Sequence, residues 1–442
     1  MAAIATSKFR VHNAEQFLEA FSEDSGFAEG TTNPNPPINT KMYFYIGGIS
    51  PFVDDANPPT PTNDTSSIEF SPWEDMYAAK RVTESDVVQV VDRYNWTTGT
   101  VYNQYDNSDT DILDDNFYVM TDEYNVYKCL SNNNGSPSTV KPSGTTTTES
   151  SGGDLYIWKY MYTVTTADAL KFLTNEFIPV RTDSTVAAAA IDGGVHAYKF
   201  TAGSSYDDGS YDIPLTGNGS GGIVTVVVNS GSITSALLNA AGTGYTSASV
   251  DLAALGLSGT LGEVTPIISP KGGHGADAPE ELGGKFVMLN VRLDGTENGT
   301  ISVDNDFRKV GLVRDPYNYG TTTVADTTNI RQTYRFTLTN PLTGTFNVDD
   351  TVTVGSSQAK VVEWDSINSY LYTTLPTLDI SLWTDGAVIN NATVSGAGTI
   401  DTAGVDTPDL DPYSGDVLYV ENRSPISRAT DQIEDVKLVI EF

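Results

Sequence analysis

The chain of 442 residues has one cysteine, three histidines and no long apolar run. A single cysteine, Cys129, excludes an internal disulfide and is typical of a protein that folds in a reducing cytoplasm. The apolar stretches fall short of the roughly 20 residues that a helix needs to cross a membrane. The N-terminal sequence MAAIATSKFR lacks the basic-then-apolar order of a secretory signal. We therefore expect neither membrane insertion nor secretion.

Basic residues are also scarce, with 24 Lys and Arg against 57 Asp and Glu, which gives a formal net charge of −33. Proteins bind nucleic acid by neutralising phosphates with Lys and Arg, and anionic membranes repel a negative chain. We expect no nucleic-acid partner and no membrane partner. Such a charge keeps a protein soluble, and it also suits a surface that meets a basic partner; the sequence leaves both interpretations open.

Helical periodicity is rare, whereas strand-forming residues are abundant, including 23 tyrosines. Hydrophobic residues make up 39% of the chain, which is sufficient for folded cores. The length suggests about two or three domains. The sequence predicts a mainly β protein.

Capping residues, prolines and the spacing of apolar residues predict individual helices and strands. Ala3 to Arg10 is predicted as a short strand, and Asn13 as the N-cap of a helix that ends near Ser22. A helix is predicted to start at Ser71-Pro72, with Trp73, Met76 and Tyr77 on its buried side. A hairpin is predicted from 117–120 and 125–130, followed by a strand over 155–162 and short strands of a small barrel or sandwich over 331–405.

The final segment, Ser414 to Phe442, is predicted to form two strands. A proline has no N–H to donate, so Ser424-Pro425 is expected to end the first strand. The second strand alternates, and the residues predicted on its buried face are Val436, Leu438, Ile440 and Phe442. Since chain ends usually fray, this pattern predicts a terminus built into a sheet.

Two motifs resemble binding-site sequences, but the residues that follow each motif do not fit such a site. Gly217 to Gly222 matches GxGxxG, but a predicted strand follows where a dinucleotide site needs a helix, so a turn is favoured. Asn107 to Asp111 begins like a calcium loop, but Ile112 and Tyr118 replace the required glycine and glutamate. An irregular calcium site remains an alternative to a solvated acidic loop; its ligands would be Asp109, Asp111, Asp114 and Asp115.

The histidines, His12, His196 and His274, are far apart from one another in the sequence. The loop Lys271 to Asp277 is the most site-like, because its His and Asp suit metal binding or proton transfer. A structural turn whose glycines meet special dihedral angles is the favoured interpretation. Cys129 is read as a small buried residue. We predict no catalytic residue, no cofactor, no metal site and no small-molecule substrate.

Several segments together resemble one family. The C-terminal SGDVLYVENRSPISRATDQIEDVKLVIEF is similar to the C-terminus of the baseplate wedge subunit of T-even-type contractile-tailed phages, the gene-eight product family. AIATSKFR resembles the start of that family, and VYKCL, LYIWKYMY, TNEFIPV and NDFRKVGLVRDP resemble later segments in the same order. The resemblance covers roughly residues 3–181, 285–316 and 414–442.

The resemblance implies a multilayer β-sandwich core with a few short helices and two inserted small β modules. The expected segments are a wedge core over 1–185, an inserted β module over 186–284, a core return over 285–330, a second module over 331–405 and C-terminal core strands over 406–442. It also implies a structural virion protein of the tail baseplate, assembled in the host cytoplasm as a homodimer that binds other wedge subunits and relays the trigger for sheath contraction. The positions expected to serve assembly are Lys8, Phe9, Arg10, Trp158, Tyr160, Asn422, Arg423, Pro425, Asp431 and Gln432.

Two alternatives belong to other functional classes. A receptor-binding or carbohydrate-binding tail protein would use the insertions, and the tyrosine-rich strands, as its binding surface. Such adhesins are usually fibrous trimers, and the sequence shows no repeat. A tail-associated glycan hydrolase would need a cleft with two close carboxylates of shifted pKa.

Overall fold

The computed structural model describes residues 5–21, 24–25, 38–48, 54, 56–57, 70–255 and 262–442. The chain divides into two compact units. Unit 1 comprises Met1–Gln16, Val88–Met288 and Val439–Phe442, and unit 2 comprises Phe17–Val87 and Leu289–Leu438. The segment predicted as the first inserted module thus falls within unit 1, and the second module falls within unit 2.

Strands dominate the secondary structure, at 45% of residues against 13% in helices, which confirms the predicted mainly β class. The α-helices of the described residues are α1 Ser7–Glu19, α2 Ser71–Asp75, α3 Thr166–Phe172, α4 Ser184–Ala188 and α5 Ala278–Leu282. Single 3-10 turns occur at Glu84–Asp86, Ile112–Asp114, Leu252–Leu255 and Ile380–Leu382.

The strands of the described residues fall into three groups along the chain. The first group is β1 Asp24–Ser25, β2 Ile38–Asn39, β3 Met42–Gly47, β4 Met76–Val82, β5 Val87–Asp92, β6 Tyr118–Met120, β7 Asn125–Ser131, β8 Ser150–Ser151 and β9 Ile157–Thr163. The second is β10 Phe177–Pro179, β11 Val195–Thr201, β12 Gly209–Gly217, β13 Ser220–Asn229, β14 Ser232–Thr243, β15 Ala248–Val250, β16 Glu263–Ile268, β17 Phe286–Asp294 and β18 Phe307–Arg314. The third is β19 Asn329–Arg331, β20 Tyr334–Gly344, β21 Thr351–Val354, β22 Ser357–Asp365, β23 Tyr370–Thr373, β24 Val388–Asn391, β25 Gly396–Asp406, β26 Asp416–Ile426 and β27 Ile433–Glu441.

Unit 2 contains a five-stranded antiparallel sheet in the order β19-β4-β3-β18-β26. Every residue of β3 is buried, and all but the last of β18 are. The sequence of β3, MYFYIG, is accordingly a nearly continuous apolar run, as expected for a central strand covered on both faces. The sequence of β18, FRKVGLVR, also buries two basic residues, Arg308 and Lys309. Tyr43, Tyr45 and Trp73 lie in the core beside this sheet.

Unit 2 also contains a closed six-stranded barrel in the order β20-β23-β22-β21-β24-β25. Alternate residues of β21 and of β24 are buried, so each strand presents one apolar face to the interior. Phe336, Trp383 and Val361 lie at its centre. Closure leaves the barrel without free strand edges.

Unit 1 is built mainly from three groups of antiparallel strands: β6-β7-β9-β8, β14-β13-β12-β15 and the pair β11-β16. Within unit 1, Val88, Val90 and Met288 from β5 and β17 form a cluster with Phe172 of α3. The predicted hairpin over 117–130 is confirmed as β6 and β7. The GxGxxG motif forms the tight turn between β12 and β13, as predicted.

Three local predictions are wrong. Residues Ser7 to Arg10 are helical, because α1 begins at Ser7; residues 1–4 lie outside the described part of the chain. Asn13 is therefore inside α1 and does not cap it. Met76 and Tyr77 belong to β4, since α2 ends at Asp75. The α2 turn buries Trp73, but the chain then extends to pair with β3.

The C-terminal prediction is correct in outline and wrong in two details. The last segment does form strands, β26 and β27, within sheets. However, β26 continues through Pro425, and none of the four residues predicted on the buried face of β27 is fully buried. Both strands stand at the end of their sheet order, where a proline does not interrupt a ladder and one flank has no neighbouring strand.

Candidate functional site

The family-like C-terminal segment contains a β-bulge in β26. In the antiparallel pairing with β18, Ile426 stands opposite Phe307 and Asn422 opposite Lys309. Arg423, Ser424 and Pro425 are therefore together opposite a single residue, Arg308. Such insertions bend the strand and redirect its side chains. Pro425 is tolerated here because a bulge on an edge strand does not need its N–H.

The bulge forms one wall of an open groove of about 660 Å³, which we call the C-terminal groove. Its lining consists of Phe307, residues 423–426, Gln432 and residues 434–437. Arg423 and Pro425 are exposed, and Ile433 beside the groove is 56% exposed. The groove thus combines an Arg, carboxylates and apolar side chains, which is the mixed character of a protein-contact surface.

The turn between β26 and β27 is held by Arg428, whose side chain is fully buried. Its Nε donates to Glu434 Oε2 at 2.8 Å, and its Nη2 donates to the Gly295 carbonyl at 2.8 Å. Gln432 Nε2 donates to Glu434 Oε1 at 2.6 Å, and the N–H of Ala429 donates to Gln432 Oε1 at 3.2 Å. These bonds give the groove a fixed rim.

Five of the predicted assembly residues thus lie together. Arg423, Pro425 and Gln432 line the C-terminal groove, and Asn422 and Asp431 are exposed positions immediately next to lining residues. Sequence spacing alone suggests this proximity, because all five belong to one strand-turn-strand segment. The bulge that places them in one groove depends on pairing with β18, and sequence reasoning missed it.

The other predicted residues are elsewhere. On α1, Lys8 Nζ contacts Glu280 Oε1 at 2.8 Å, Phe9 is 55% exposed, and Arg10 Nη1 contacts Glu441 Oε1 at 3.1 Å. These three are surface residues.

Trp158 and Tyr160 are buried in β9, at 1% and 6% exposure. The Trp158 ring stacks on Tyr156 at 5.4 Å. Both residues therefore pack the interior of unit 1 and do not present a surface to a partner.

A second candidate lies inside unit 1, and we call it the buried ionic cluster; its members are Lys128, Lys159, His196, His274, Glu149 and Glu281. Lys128 Nζ lies 2.8 Å from Glu281 Oε2, and the two side chains are 0% and 3% exposed. Glu281 Oε1 accepts the backbone N–H groups of Gly275 at 2.7 Å and Asp277 at 3.3 Å. Lys128 Nζ also lies 4.0 Å from the centre of the Tyr105 ring, a cation–π contact.

The two histidines of this cluster meet edge to face, with ring centres 5.4 Å apart. His196 Nδ1 is 3.1 Å from Glu149 Oε1, and His274 Nδ1 is 4.0 Å from Glu281 Oε2. Lys159 Nζ lies 3.6 Å from the same Glu149 oxygen and donates to the Thr147 carbonyl. Sequence reasoning missed this meeting, because β11 carries His196 and the loop before α5 carries His274.

Burial sets the ionisation of the cluster. It lowers the pKa of Lys128, with Glu281 acting in the opposite direction. Burial also lowers the pKa of His274 well below 6.5, and the charges of Lys128, His196 and Lys159 add to this shift. Burial raises the pKa of Glu149, but the close contact with the His196 ring and the charges of His196 and Lys159 outweigh it and bring that pKa to about 2. The cluster thus favours a neutral His274 between two compensated ion pairs.

The glycines of the His274 loop support its interpretation as a structural turn. Gly272, Gly273 and Gly275 have φ angles of +86°, +100° and +90°, a region that other residues rarely adopt. Within the described part of the chain, no group of three His, Cys, Asp or Glu side chains is arranged to hold a metal ion. Two lysines also lie within the cluster, and their charge disfavours a cation.

No protein-family model matches this chain, and no curated protein shows significant similarity to it. Among the helices of the described residues, none is both long and apolar enough to cross a membrane.

Proposed function

We propose that this chain is a structural virion protein of a contractile phage tail, a baseplate wedge subunit that dimerises and binds neighbouring wedge subunits. Its role is to assemble the baseplate in the host cytoplasm and to relay the trigger for sheath contraction. The function makes and breaks no covalent bond. The residues that carry the family resemblance at the C-terminus are the main support.

The observation that carries the proposal is the exposed setting of that segment. Asn422, Arg423 and Pro425 are exposed on an edge strand, and the last two line a groove with a fixed rim. The free edge of a strand offers unpaired N–H and C=O groups to another chain. Leu418, on the same strand, is 41% exposed and adds apolar area. These features favour a docking surface for a second protein chain.

The charge supports the same role. A net charge of −33 keeps the free subunit soluble before assembly and favours a partner surface with basic residues. Compact β units with polar loops suit contacts that hold in one state of the baseplate and are remade in another.

The first test is the mass of the purified protein, measured by light scattering at low and at high salt. We expect twice the 47.4 kDa of the chain at both concentrations, because salt screens the charged contacts of a two-fold symmetric interface but does little to its apolar contacts. A stable trimer would support the adhesin alternative instead. A monomer at both concentrations would contradict the homodimer.

Variants locate the interface. Leu418→Glu and Arg423→Glu, on β26, are expected to weaken the dimer at least tenfold, or by about 1.4 kcal/mol. Ile367→Glu is the matched control, because Ile367 is 91% exposed in a turn of the barrel, remote in sequence from the C-terminal groove.

Mass spectrometry of purified tails tests the virion role directly, since a wedge subunit must be present in them at a fixed ratio to the other tail proteins.

A further inference from the structure

In the hairpin turn between β6 and β7, Tyr124 has a left-handed backbone conformation that residues other than glycine rarely adopt. The N–H of Thr121 donates to the Asn125 carbonyl at 2.9 Å, and the N–H of Tyr124 donates to the Thr121 carbonyl at 3.0 Å. This is a three-residue hairpin loop whose last position is left-handed, the place where glycine is preferred. Tyr124 occupies it with φ +62°. Strain of this kind is common at binding sites.

The turn holds Tyr124 in place through its neighbours. Lys141 Nζ contacts Asp122 Oδ1 and Glu123 Oε1, each at 2.6 Å. The N–H of Val164 donates to the Tyr124 carbonyl at 2.9 Å. The Tyr124 side chain itself is 46% exposed and has no hydrogen-bond partner among the described residues. The fold therefore presents this side chain at the surface of unit 1.

Tyr124 lines an open pocket of about 680 Å³ that also includes Trp96; we call it the aromatic pocket. The N–H of Trp96 donates to the Met120 carbonyl at 3.0 Å, and its indole Nε1 donates to Ser138 Oγ at 3.1 Å. The Trp96 side chain is thus held in place before any ligand arrives, and the turn fixes the backbone of Tyr124 beside it. The volume falls within the range of small-ligand sites.

Polar groups of the aromatic pocket retain hydrogen-bonding capacity. Arg93 Nε donates to Asn95 Oδ1 at 3.0 Å, and its Nη1 donates to the Thr174 carbonyl at 2.6 Å. Within the described part of the chain, Arg93 Nη2 and the Asn95 side-chain amide N–H groups have no partner. Asp122 adds a carboxylate and Thr121 a hydroxyl to the lining. The pocket therefore offers both donors and acceptors beside two aromatic rings.

The charges select an uncharged ligand. Arg93 and Lys141 are balanced by Asp122 and Glu123, and the whole chain repels anions through its net charge of −33. A pyranose has an apolar C–H face that packs on an aromatic ring and hydroxyl groups that both donate and accept hydrogen bonds. We propose that the aromatic pocket binds neutral hexose units of an oligosaccharide. This binding goes beyond the proposed assembly function and does not depend on it.

The experiment compares the purified full-length protein with Tyr124→Gly and Tyr124→Phe on an array of neutral and acidic bacterial glycans. Calorimetry then measures affinity for the neutral oligosaccharide that binds best. Tyr124→Gly is expected to lower the affinity at least about tenfold, while the melting temperature stays the same or rises, because glycine suits the left-handed position. Tyr124→Phe keeps the ring and should retain most of the affinity.

Tyr413→Gly is the matched control, since Tyr413 is also a left-handed tyrosine, with φ +66°, and is 49% exposed. It is outside the aromatic pocket and should leave glycan binding unchanged. The proposal is overturned if no neutral glycan binds at millimolar concentration, if only acidic glycans bind, or if Tyr124→Gly binds as wild type does. Solution mass is measured in parallel, so that a loss of glycan binding is distinguished from a loss of dimerisation.

Discussion

Lys128 Nζ and Glu281 Oε2 form an ion pair of 2.8 Å in the interior of unit 1, with 0% and 3% of their side chains exposed. A buried pair contributes little net stability relative to apolar residues, but loss of one partner leaves an uncompensated charge in a low dielectric. Glu281 also accepts two backbone N–H groups of the His274 loop. The pair thus connects β7, α5 and that loop.

Replacing one partner of this pair should be costly. Lys128→Met is expected to lower the free energy of unfolding by about 3–5 kcal/mol, because Glu281 stays buried without its counter-charge. The double variant with Glu281→Gln should recover part of the loss. The measurement is urea unfolding followed by fluorescence.

Lys8→Met is the control for this experiment. Lys8 Nζ contacts Glu280 at the same 2.8 Å, but the side chains are 76% and 45% exposed. An exposed pair contributes about 0–1 kcal/mol. Equal effects of Lys8→Met and Lys128→Met would contradict the role of burial.

Acid should destabilise the folded protein in two pH ranges, one set by His274 and the other by Glu149 of the buried ionic cluster. Burial holds the pKa of His274 well below 6.5, so below pH 6.5 the unfolded chain binds a proton there that the folded chain does not. The free energy of unfolding should therefore decrease as the pH is lowered below 6.5, by about 1.4 kcal/mol per pH unit. The Glu149 pKa of about 2 lies below its ordinary 4.5, so its stabilising contribution is present above pH 4.5 and is lost between 4.5 and 2.

His274→Gln removes the effect in the first pH range, because glutamine does not titrate. The dependence of the urea midpoint on pH between 7 and 5 should become shallower in this variant. His12→Gln is the control, because the His12 side chain is 60% exposed on α1 and lies outside the buried ionic cluster. An unchanged slope in His274→Gln would show that other groups cause the acid sensitivity.

Gly311 is expected to be essential for the pairing that carries the C-terminal groove. It lies on β18 between β3 and β26, and a Cβ there would collide with the Tyr419 carbonyl oxygen and the Tyr45 hydroxyl. Gly311→Ala should lower the free energy of unfolding by about 1–3 kcal/mol. It should also speed hydrogen exchange along β26.

Gly153→Ala is the comparison, because a Cβ at Gly153 would meet only Val140, at 4.0 Å. Its stability should change little. If the β26 amides exchange hydrogen as slowly in Gly311→Ala as in the wild-type protein, the strand accommodates the added methyl group and the prediction is wrong.

In the barrel, Trp383 depends on one buried hydroxyl. Its Nε1 donates to Ser357 Oγ at 2.8 Å, and Ser357 donates in turn to the Thr377 carbonyl at 2.6 Å. Ser357→Ala leaves the indole N–H unsatisfied and should cost about 1–3 kcal/mol in thermal unfolding. Ser395→Ala, at an exposed position of the same barrel, should be neutral.

The sequence predicted elements best where the pattern was local. The hairpin over 117–130 follows from two apolar runs around a polar turn, and the glycine turn at 217–222 follows from the strand after it. The start at Ala3–Arg10 was misread, because a short run with mixed apolar spacing fits a strand as well as a helix. Burial of Val11 and Ala14, three residues apart, shows which period the structure uses.

Tertiary contacts decided the candidate sites. Pro425 was expected to end a strand, but the edge position of β26 and its bulge against β18 allow the strand to continue. His196 and His274 are 78 positions apart, and nothing in their local sequence shows that their rings meet. Tyr124 is part of a turn that the sequence predicts, but the proximity of Trp96 depends on the hydrogen bond from the Trp96 N–H to the Met120 carbonyl, which no local pattern shows.

By itself, the sequence determined the mainly β class, the acidic surface and the turns, because alternation, charge and glycine placement act over a few residues. The three-dimensional structure alone decided which ionic groups are buried together, which strands are edges, and where aromatic and polar side chains line a pocket. Those properties depend on packing between segments that are distant in the chain, and the energies of burial and pairing are set only when those segments meet.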